Sequence, residues 1–222
     1  MKAVFMDYTG TTVQERGSEI EEAVKRICRN SSLKNPKEVL ALWWTLLKQY
    51  EESSYGDSYL TEDEIVDRLL QELETKIRLK DNRQELHSLI QGFWVNAPLF
   101  PDVKPFYEAC PVPIYIISNN GIPYVEKSMK AKGLSPAGII CADMVRAYKP
   151  HKELFEKALE VSGCEPEEVL HIGDSYGSDV LGAAAAGIRP VLIQRNPCES
   201  HPDVTCIREL TEALPYVLNG GR

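Results

Sequence analysis

The chain has 222 residues, 43% of them hydrophobic and 26% charged, and 33 acidic against 25 basic side chains leave it a net charge of −8. That length gives room for one good core, or one and a half, in an ordinary soluble protein. The acidic balance, with no basic stripe, argues against nonspecific nucleic-acid binding.

No apolar run approaches the length of a bilayer span, and Asp7 ends the only N-terminal apolar run after four residues, so neither a membrane helix nor a signal peptide is expected. Six cysteines (28, 110, 141, 164, 198, 206) lie scattered without a Cys-x-x-Cys pair, and the four histidines are dispersed. Reduced thiols in a cytoplasmic protein, rather than a zinc site, fit that usage.

The chain opens with a buried strand, Ala3 to Met6, which delivers Asp7 into the turn Tyr8-Thr9-Gly10-Thr11-Thr12. Two readings stand at this point: a nucleophilic carboxylate, or a turn and helix-cap aspartate. Val13 to Gly17 reads as a linker. From Ser18 to about Val95 the apolar spacing is helical. Ser18 with Glu21 has the form of a capping box, Asn35-Pro36 opens a second helix, Thr61 with Glu64 caps a third, and Asp81 or Asn82 starts a fourth. Four helices after a single strand predict a small inserted domain over 14–97, its Trp and Leu stripes forming a core. The flanking pieces, 1–13 and 98–222, form the other domain.

From Pro98 the pattern becomes alternating. A short helix falls near 103–110, and strands are predicted at Pro113–Ile117, Gly138–Cys141, Val169–Ile172 and Pro190–Ile193, with a weak one around Val204–Ile207. Helices are predicted near 122–132, 151–162, 177–186 and 208–217, with Gly133, Gly163 and Gly187 closing the first three. Strands alternating with helices predict an α/β fold with a doubly wound parallel sheet and right-handed crossovers. Three strands end in polar groups: Asp7, Ser118-Asn119 and Gly173-Asp174-Ser175. In a parallel sheet those endings share one edge, where ligands of such folds bind. Repeated turn chemistry explains that convergence poorly, and a site explains it well.

Asp7 and Asp174 on adjacent strand ends would repel one another unless a cation lay between them. Oxygen donors without His or Cys suit Mg²⁺. Asp179, five residues after Asp174, could hold a metal-bound water. Lys149, Ser118, and the backbone N–H groups of Tyr8, Thr9 and Asn119 could cradle a tetrahedral anion. Such a set describes phosphoryl transfer to a carboxylate. His171 and His151 read as hydrogen-bonded structural histidines.

Four stretches together, Val4-Phe5-Met6-Asp7-Tyr8-Thr9-Gly10-Thr11, Ile116-Ile117-Ser118-Asn119, Lys149-Pro150, and Ile172-Gly173-Asp174-Ser175 followed by Asp179, resemble the haloacid-dehalogenase superfamily over nearly the whole chain. The resemblance implies a Rossmann-like core with a helical cap inserted after the first motif. It implies a phosphohydrolase acting on a small phosphorylated metabolite, with Asp7 as the nucleophile that becomes an aspartyl-phosphate. Mg²⁺ would be held by Asp7, the Thr9 carbonyl, Asp174 and, directly or through water, Asp179. Tyr8, Thr9, Ser118, Asn119 and Lys149 would bind phosphate, and the cap would select the substrate.

One departure bears on mechanism: most family phosphatases carry an acid/base aspartate two residues after the nucleophile, where this chain has Thr9. A threonine hydroxyl is a poor general acid. Asp-x-Thr-Gly-Thr also resembles the P-type ATPase phosphorylation loop, in which phosphate is lost slowly. Two other functions stay open. One is a metal-free 2-haloacid dehalogenase; that branch has a cap arginine after a tryptophan, whereas here Trp43 is followed by Trp44. The other is a catalytically weak phosphate-ligand binder. Phosphonate cleavage would need a cap lysine, for which Lys25 and Lys48 are available. The sequence leaves the oligomeric state open.

Overall fold

The computed structural model describes residues 1–196 and 201–218. Six strands, β1 (Ala3–Asp7), β2 (Ile114–Ser118), β3 (Gly138–Cys141), β4 (Val169–Gly173), β5 (Arg189–Ile193) and β6 (Thr205–Ile207), form one parallel sheet in the order β3-β2-β1-β4-β5-β6. This is the α/β architecture expected from the alternating pattern. β1 and β4 are buried at every residue, as strands covered on both faces must be. Alternation along them divides the core. Val4, Met6, Leu170 and Ile172 join one cluster, whereas Ala3, Phe5 and Val169 join the other, with Leu154, Phe155 and Ala158 from helix 152–162.

Helices α1 (Ser18–Asn30), α2 (Pro36–Ser53), α3 (Glu62–Lys76) and α4 (Arg83–Asn96) lie between β1 and β2 in sequence. Their starts follow the local chemistry. Asn35 accepts from the Lys37 N–H, Asn82 from the Gln84 and Glu85 N–H groups, and Thr61 with Glu64 forms a complete capping box. Ser18 does not cap: the Glu21 N–H donates to the Gly17 carbonyl, so the helix begins one residue earlier than a Ser18 cap requires, and the Ser18 hydroxyl turns to Glu19 instead.

The four helices continue the core of the sheet rather than standing apart from it. Ile20, Val24, Leu69, Leu86 and Phe93 belong to the same cluster as Tyr8, Val13 and Met6. α4 packs on α6 (Ile122–Ala131), where Trp94 lies 4.8 Å from the Tyr124 ring and Lys132 donates to the Val95 carbonyl at 2.6 Å. Tyr59 donates to Asp143 and Tyr148 to the Leu60 carbonyl, tying the loop before α3 to the loop before the Lys149 turn.

The later elements follow the expected order: α5 (Val103–Ala109) and α7 (Lys152–Ser162) fall where the sequence places them, whereas the last helix, expected over 208–217, starts as a tight 3₁₀ turn over Leu210–Ala213 and is α-helical only over α9 (Leu214–Leu218). The helix expected over 177–186 differs. It begins as a wide π turn, Tyr176–Val180, and becomes α-helical only over α8 (Leu181–Ala185). The five cysteines among the described residues form no disulfide; Cys198 lies outside them. No helix among the described residues is long and apolar enough to cross a membrane.

The turn into α4 carries a pH-dependent contribution to stability. Asp81 accepts from Arg26, Asn30 and the Asn82 N–H, and the Arg26 guanidinium holds its carboxyl down to about 2. A depressed folded pKa gives stability that is full above the ordinary carboxylate value and lost as pH falls toward the folded one. The unfolding free-energy difference between the native protein and D81N, followed by urea titration, is therefore expected to be constant above about pH 5 and to shrink steadily between pH 4 and pH 2.

Candidate active site

Strand register assembles the site. Asp7 pairs with Ile117, and Met6 with Ile172, so Ser118-Asn119 and Gly173-Asp174 leave the sheet on either side of Asp7. Two glycines make the approach close enough. Gly10 sits at φ +91°, and a Cβ there would overlap the Asp174 carboxylate; a Cβ on Gly173 would overlap the Asp179 side chain. The π turn then carries Asp179 back over the strand end, where its carboxylate accepts from the Ser175 N–H at 3.0 Å. Such wide turns within helices recur at functional sites.

Lys149 is 6% exposed, and its ammonium lies 2.5 Å from Asp7 Oδ1 and 2.6 Å from Asp179 Oδ1. His171, wholly buried on β4, sets Nε2 3.0 Å from the same Asp179 oxygen while its ring meets Phe155 edge to face. It is a positioning group, as the structural reading of this histidine holds. Thr11 donates to Asp174 at 3.2 Å. Asp7, Asp174 and Asp179 each offer an oxygen within 4.8 Å of the others. One lysine does not balance three acids. Burial and the neighbouring Asp179 push the Asp7 carboxyl up to about 6 against the pull of Lys149. Burial, with Asp7 and Asp179 alongside, pushes Asp174 well above the usual carboxylate range. Asp179 moves the other way: burial opposes its ionisation, but Lys149 and His171 outweigh it and hold the carboxyl below the usual range.

The residues singled out in the sequence take distinct places. Asp7, Thr9, Ser118, Asn119, Lys149, Asp174 and Asp179 all line one cavity of about 270 Å³ between the strand ends and helices α1 to α4. Asp7 Oδ2 is buried there without a partner. The Tyr8 ring does not join them: it is fully buried, and its hydroxyl donates to the Trp94 carbonyl at 2.8 Å, which leaves only its backbone near the site. The Thr9 hydroxyl donates to Asn120 Oδ1 at 2.8 Å, and Asn119 Oδ1 accepts from the Lys149 N–H at 2.8 Å. Lys25 does not line the cavity, whereas Lys48 does.

Sequence reasoning missed three acids at the cavity, Glu15, Glu51 and Glu62, and the amide Asn120. Glu62, buried at the start of α3, accepts from Asn120 Nδ2 at 2.6 Å and from the Gly121 N–H at 2.8 Å. Glu51, half-buried near the end of α2, borders the same cavity, and desolvation pushes its carboxyl up to about 7 against the pull of Asn119 and Lys149. In sequence, Glu51 reads as part of a solvated charge run and Glu62 as one of several acids in a first helical turn. No local signal separates them from their neighbours.

Residues 1–187 match the family described as haloacid dehalogenase-like hydrolase. The chain belongs to that hydrolase family. Over 94 residues it is 38% identical to the phospholysine phosphohistidine inorganic pyrophosphate phosphatase of Xenopus laevis, covering 39% of this chain and 34% of that one. Over 65 residues it is 34% identical to the glyceraldehyde 3-phosphate phosphatase of Methanothermobacter thermautotrophicus, covering 29% of each. The chain thus spans about a third of the length of these relatives. Among solved structures, the L-2-haloacid dehalogenase from Xanthobacter autotrophicus superposes with a TM-score of 0.81 at 19% identity over 98% of both chains. A HAD phosphatase from Thermococcus onnurineus gives 0.71 at 23% over 100% of both. At those identities the likeness is one of fold.

In this hydrolase the buried lysine should matter for folding as well as for chemistry. Removing one partner of a buried ion pair leaves the other charge uncompensated, at a cost of about 3–5 kcal/mol. K149M is expected to lose stability of that order at pH 8 in metal-free buffer. The loss should shrink toward pH 5, because the carboxyls of Asp7 and Asp179, freed from their cation, take up protons as pH falls. Urea titrations at the two pH values measure this.

Proposed function

We propose that this hydrolase is a Mg²⁺-dependent phosphohydrolase acting on a small phosphorylated metabolite, with Asp7 as nucleophile. The observation that carries the reading is the unpartnered, buried Oδ2 of Asp7 in a cavity that also holds Lys149, Ser118 and Asn119. The phosphatase names of the matched relatives support it.

The donor set fits a magnesium ion: oxygens only, from Asp7, Asp174 and Asp179, in a cluster whose acids outnumber its buried cation. The Thr9 carbonyl would complete the ligands. Bound there, Mg²⁺ would supply positive charge to draw the phosphoryl group toward the nucleophile and screen carboxylate from phosphate. The metal-free dehalogenase reading gives that acid cluster no such task, and a pure binding protein has no need of the nucleophile.

The remaining work falls to the chain's own groups. Lys149, Ser118 and the Asn119 N–H would hold the phosphate oxygens with phosphorus facing Asp7. Asp7 forms a bond to phosphorus as the bond to the leaving oxygen breaks, and that oxygen takes a proton. Water then attacks phosphorus, releasing inorganic phosphate and restoring Asp7. Lys149 is held by Asp7 and Asp179, so its charge is fixed before substrate arrives, which is the preorganisation such catalysis requires. Residues 14–97 would serve as the cap that covers this chemistry, and 1–13 with 98–222 as the catalytic core.

Thr9 cannot supply the proton as an aspartate would, and its hydroxyl is committed to Asn120. A poor alcohol leaving group should therefore suffer most, while acyl or phosphoramidate substrates need less help. A positioned general acid contributes roughly 10²–10⁴-fold. T9D is expected to raise turnover of alkyl phosphates by at least about 10²-fold in that range, and that of acetyl phosphate much less.

The founding test is phosphate release from a panel of alkyl and acyl phosphates with and without Mg²⁺. D7N should abolish it, and EDTA should abolish it reversibly. Chloride release from a 2-haloacid without metal, with no phosphate turnover, would overturn the reading in favour of a dehalogenase.

A further inference from the structure

One amide holds two hydroxyls of the cavity. Thr9 Oγ1 donates to Asn120 Oδ1 at 2.8 Å, Ser118 Oγ donates to the same oxygen at 3.1 Å, and the Asn120 N–H donates back to Ser118 Oγ at 3.0 Å. Glu62 holds the other end of that amide. Its Oε1 accepts from Asn120 Nδ2 at 2.6 Å, and its Oε2 accepts from the Gly121 N–H at 2.8 Å. We propose that Glu62, carried in by the inserted helix α3, is a positioning residue of the site: acting through Asn120, it sets where the Thr9 and Ser118 hydroxyls stand to receive phosphate. The inference rests on the phosphohydrolase reading and adds to it a residue of the inserted helices.

Three observations lead there. An amide offers an oxygen with two lone pairs and a nitrogen with two protons, so its sense matters to every partner. Glu62 accepts at both of its oxygens, and it therefore selects the nitrogen end of Asn120 and turns the oxygen toward Thr9 and Ser118. With the amide reversed, oxygen would face oxygen at Glu62, and the two hydroxyls would lose their shared acceptor. Burial makes that choice firm. Glu62, Asn120 and Ser118 are all buried, so water does not stand in for a lost partner, and an unpaired polar group there is costly. The carboxylate is also delivered from a fixed place. Thr61 and Glu64 close the start of α3, and the next residue, Asp63, accepts from the Tyr124 hydroxyl of α6 at 2.8 Å and from Gln91 at 2.9 Å.

A plainer role for Glu62 is to pin α3 to the sheet. The bond to the Gly121 N–H would suffice for that. The second bond goes instead to the amide whose oxygen takes both hydroxyl protons, and Thr9 and Ser118 line the cavity with Asp7. Ser118 Oγ stays anchored by the Asn120 N–H, so its proton is free to turn from Asn120 to a phosphate oxygen without the side chain moving. Placement of this kind carries weight in catalysis, since a shift of about 1 Å at a reacting group costs roughly 10²-fold. Glutamine at position 62 keeps the shape but has one oxygen. It can accept from Gly121 or from Asn120 but not from both, and its own amide protons favour the reversed sense of Asn120. E62Q is therefore the smallest change that disturbs the hydroxyls from a distance.

The test introduces E62Q into the native protein, into N120A and into T9V/S118A, and measures kcat/KM for p-nitrophenyl phosphate with Mg²⁺. E62Q is expected to lower kcat/KM at least tenfold in the native protein. The same substitution should change it less than twofold in N120A, where the intermediary is gone, and in T9V/S118A, where the hydroxyls are gone, because coupled residues do not act additively. Glu62 hydrogen-bonds to neither hydroxyl, so a role confined to seating α3 would leave the tenfold loss in place in T9V/S118A, and that result overturns the inference. An E62Q protein as active as the native one also overturns it. If E62Q does not fold, N120A takes its place, with the same loss expected in the native protein and the same absence of loss in T9V/S118A. If the native protein releases no phosphate from any ester, the phosphohydrolase reading fails. Calorimetric titration of the same proteins with inorganic phosphate and Mg²⁺ then decides the positioning role. Binding at least fivefold weaker in E62Q, with the difference gone in T9V/S118A, supports it; equal binding, or none by the native protein, overturns it.

Discussion

The structure depends on one buried ammonium. Lys149 sits between Asp7 and Asp179 with almost no access to solvent. Withdrawing such charges from water is expensive, and the arrangement persists only because each is paired and hydrogen-bonded. His171 and the Ser175 N–H fix Asp179, and Asp179 helps to fix the lysine. The nucleophile candidate is thereby held by a chain of contacts running from the middle of β4, through the π turn, to the end of β1. The orientation of the Asp7 carboxylate therefore depends in part on His171 and the Ser175 N–H, which do not contact it.

The same constraint explains the surplus of negative charge. Three carboxylates share one buried lysine, and two of the three have their acidity weakened by burial and by one another. A protein gains no stability from that surplus. At the strand ends Asp7, Asp174 and Asp179 lie close enough together that they could hold a metal ion.

The helical insert is not a separate lid laid on a finished core. Tyr8 reaches up to the Trp94 carbonyl, and the apolar cluster of the sheet runs through Val13 into α1 and α4. The wall of the cavity on that side is therefore built on the same packing that stabilises β1. Substitutions in that wall should be chosen with volume in mind, because interiors of this density respond to the loss of a methylene.

Much of this was legible in the chain itself. Local chemistry determined the elements: Asn35, Thr61 and Asn82 cap where they stand, Gly133 and Gly163 end helices with positive φ, and uninterrupted apolar runs such as Ala3–Met6 dictate strands buried on both faces. Parallel pairing follows from the alternation, and with it the meeting of Asp7, Ser118, Asn119 and Asp174 at one edge, because every strand of a parallel sheet ends on the same side. Other features depended on contacts between residues far apart in sequence, which no local pattern encodes. Ser18 lost its cap to the path of the incoming chain. The wide turn at Tyr176–Val180 is set by what Asp179 reaches, not by helix propensity. Glu62 looks like any exposed helical acid until α3 folds down over the sheet and removes its water, and Glu51 becomes half-buried beside the strand ends. The sequence thus determined which carboxylate stands at the end of which strand. Only the tertiary structure decided which other charges would be buried beside it, because burial is a property of how distant surfaces meet.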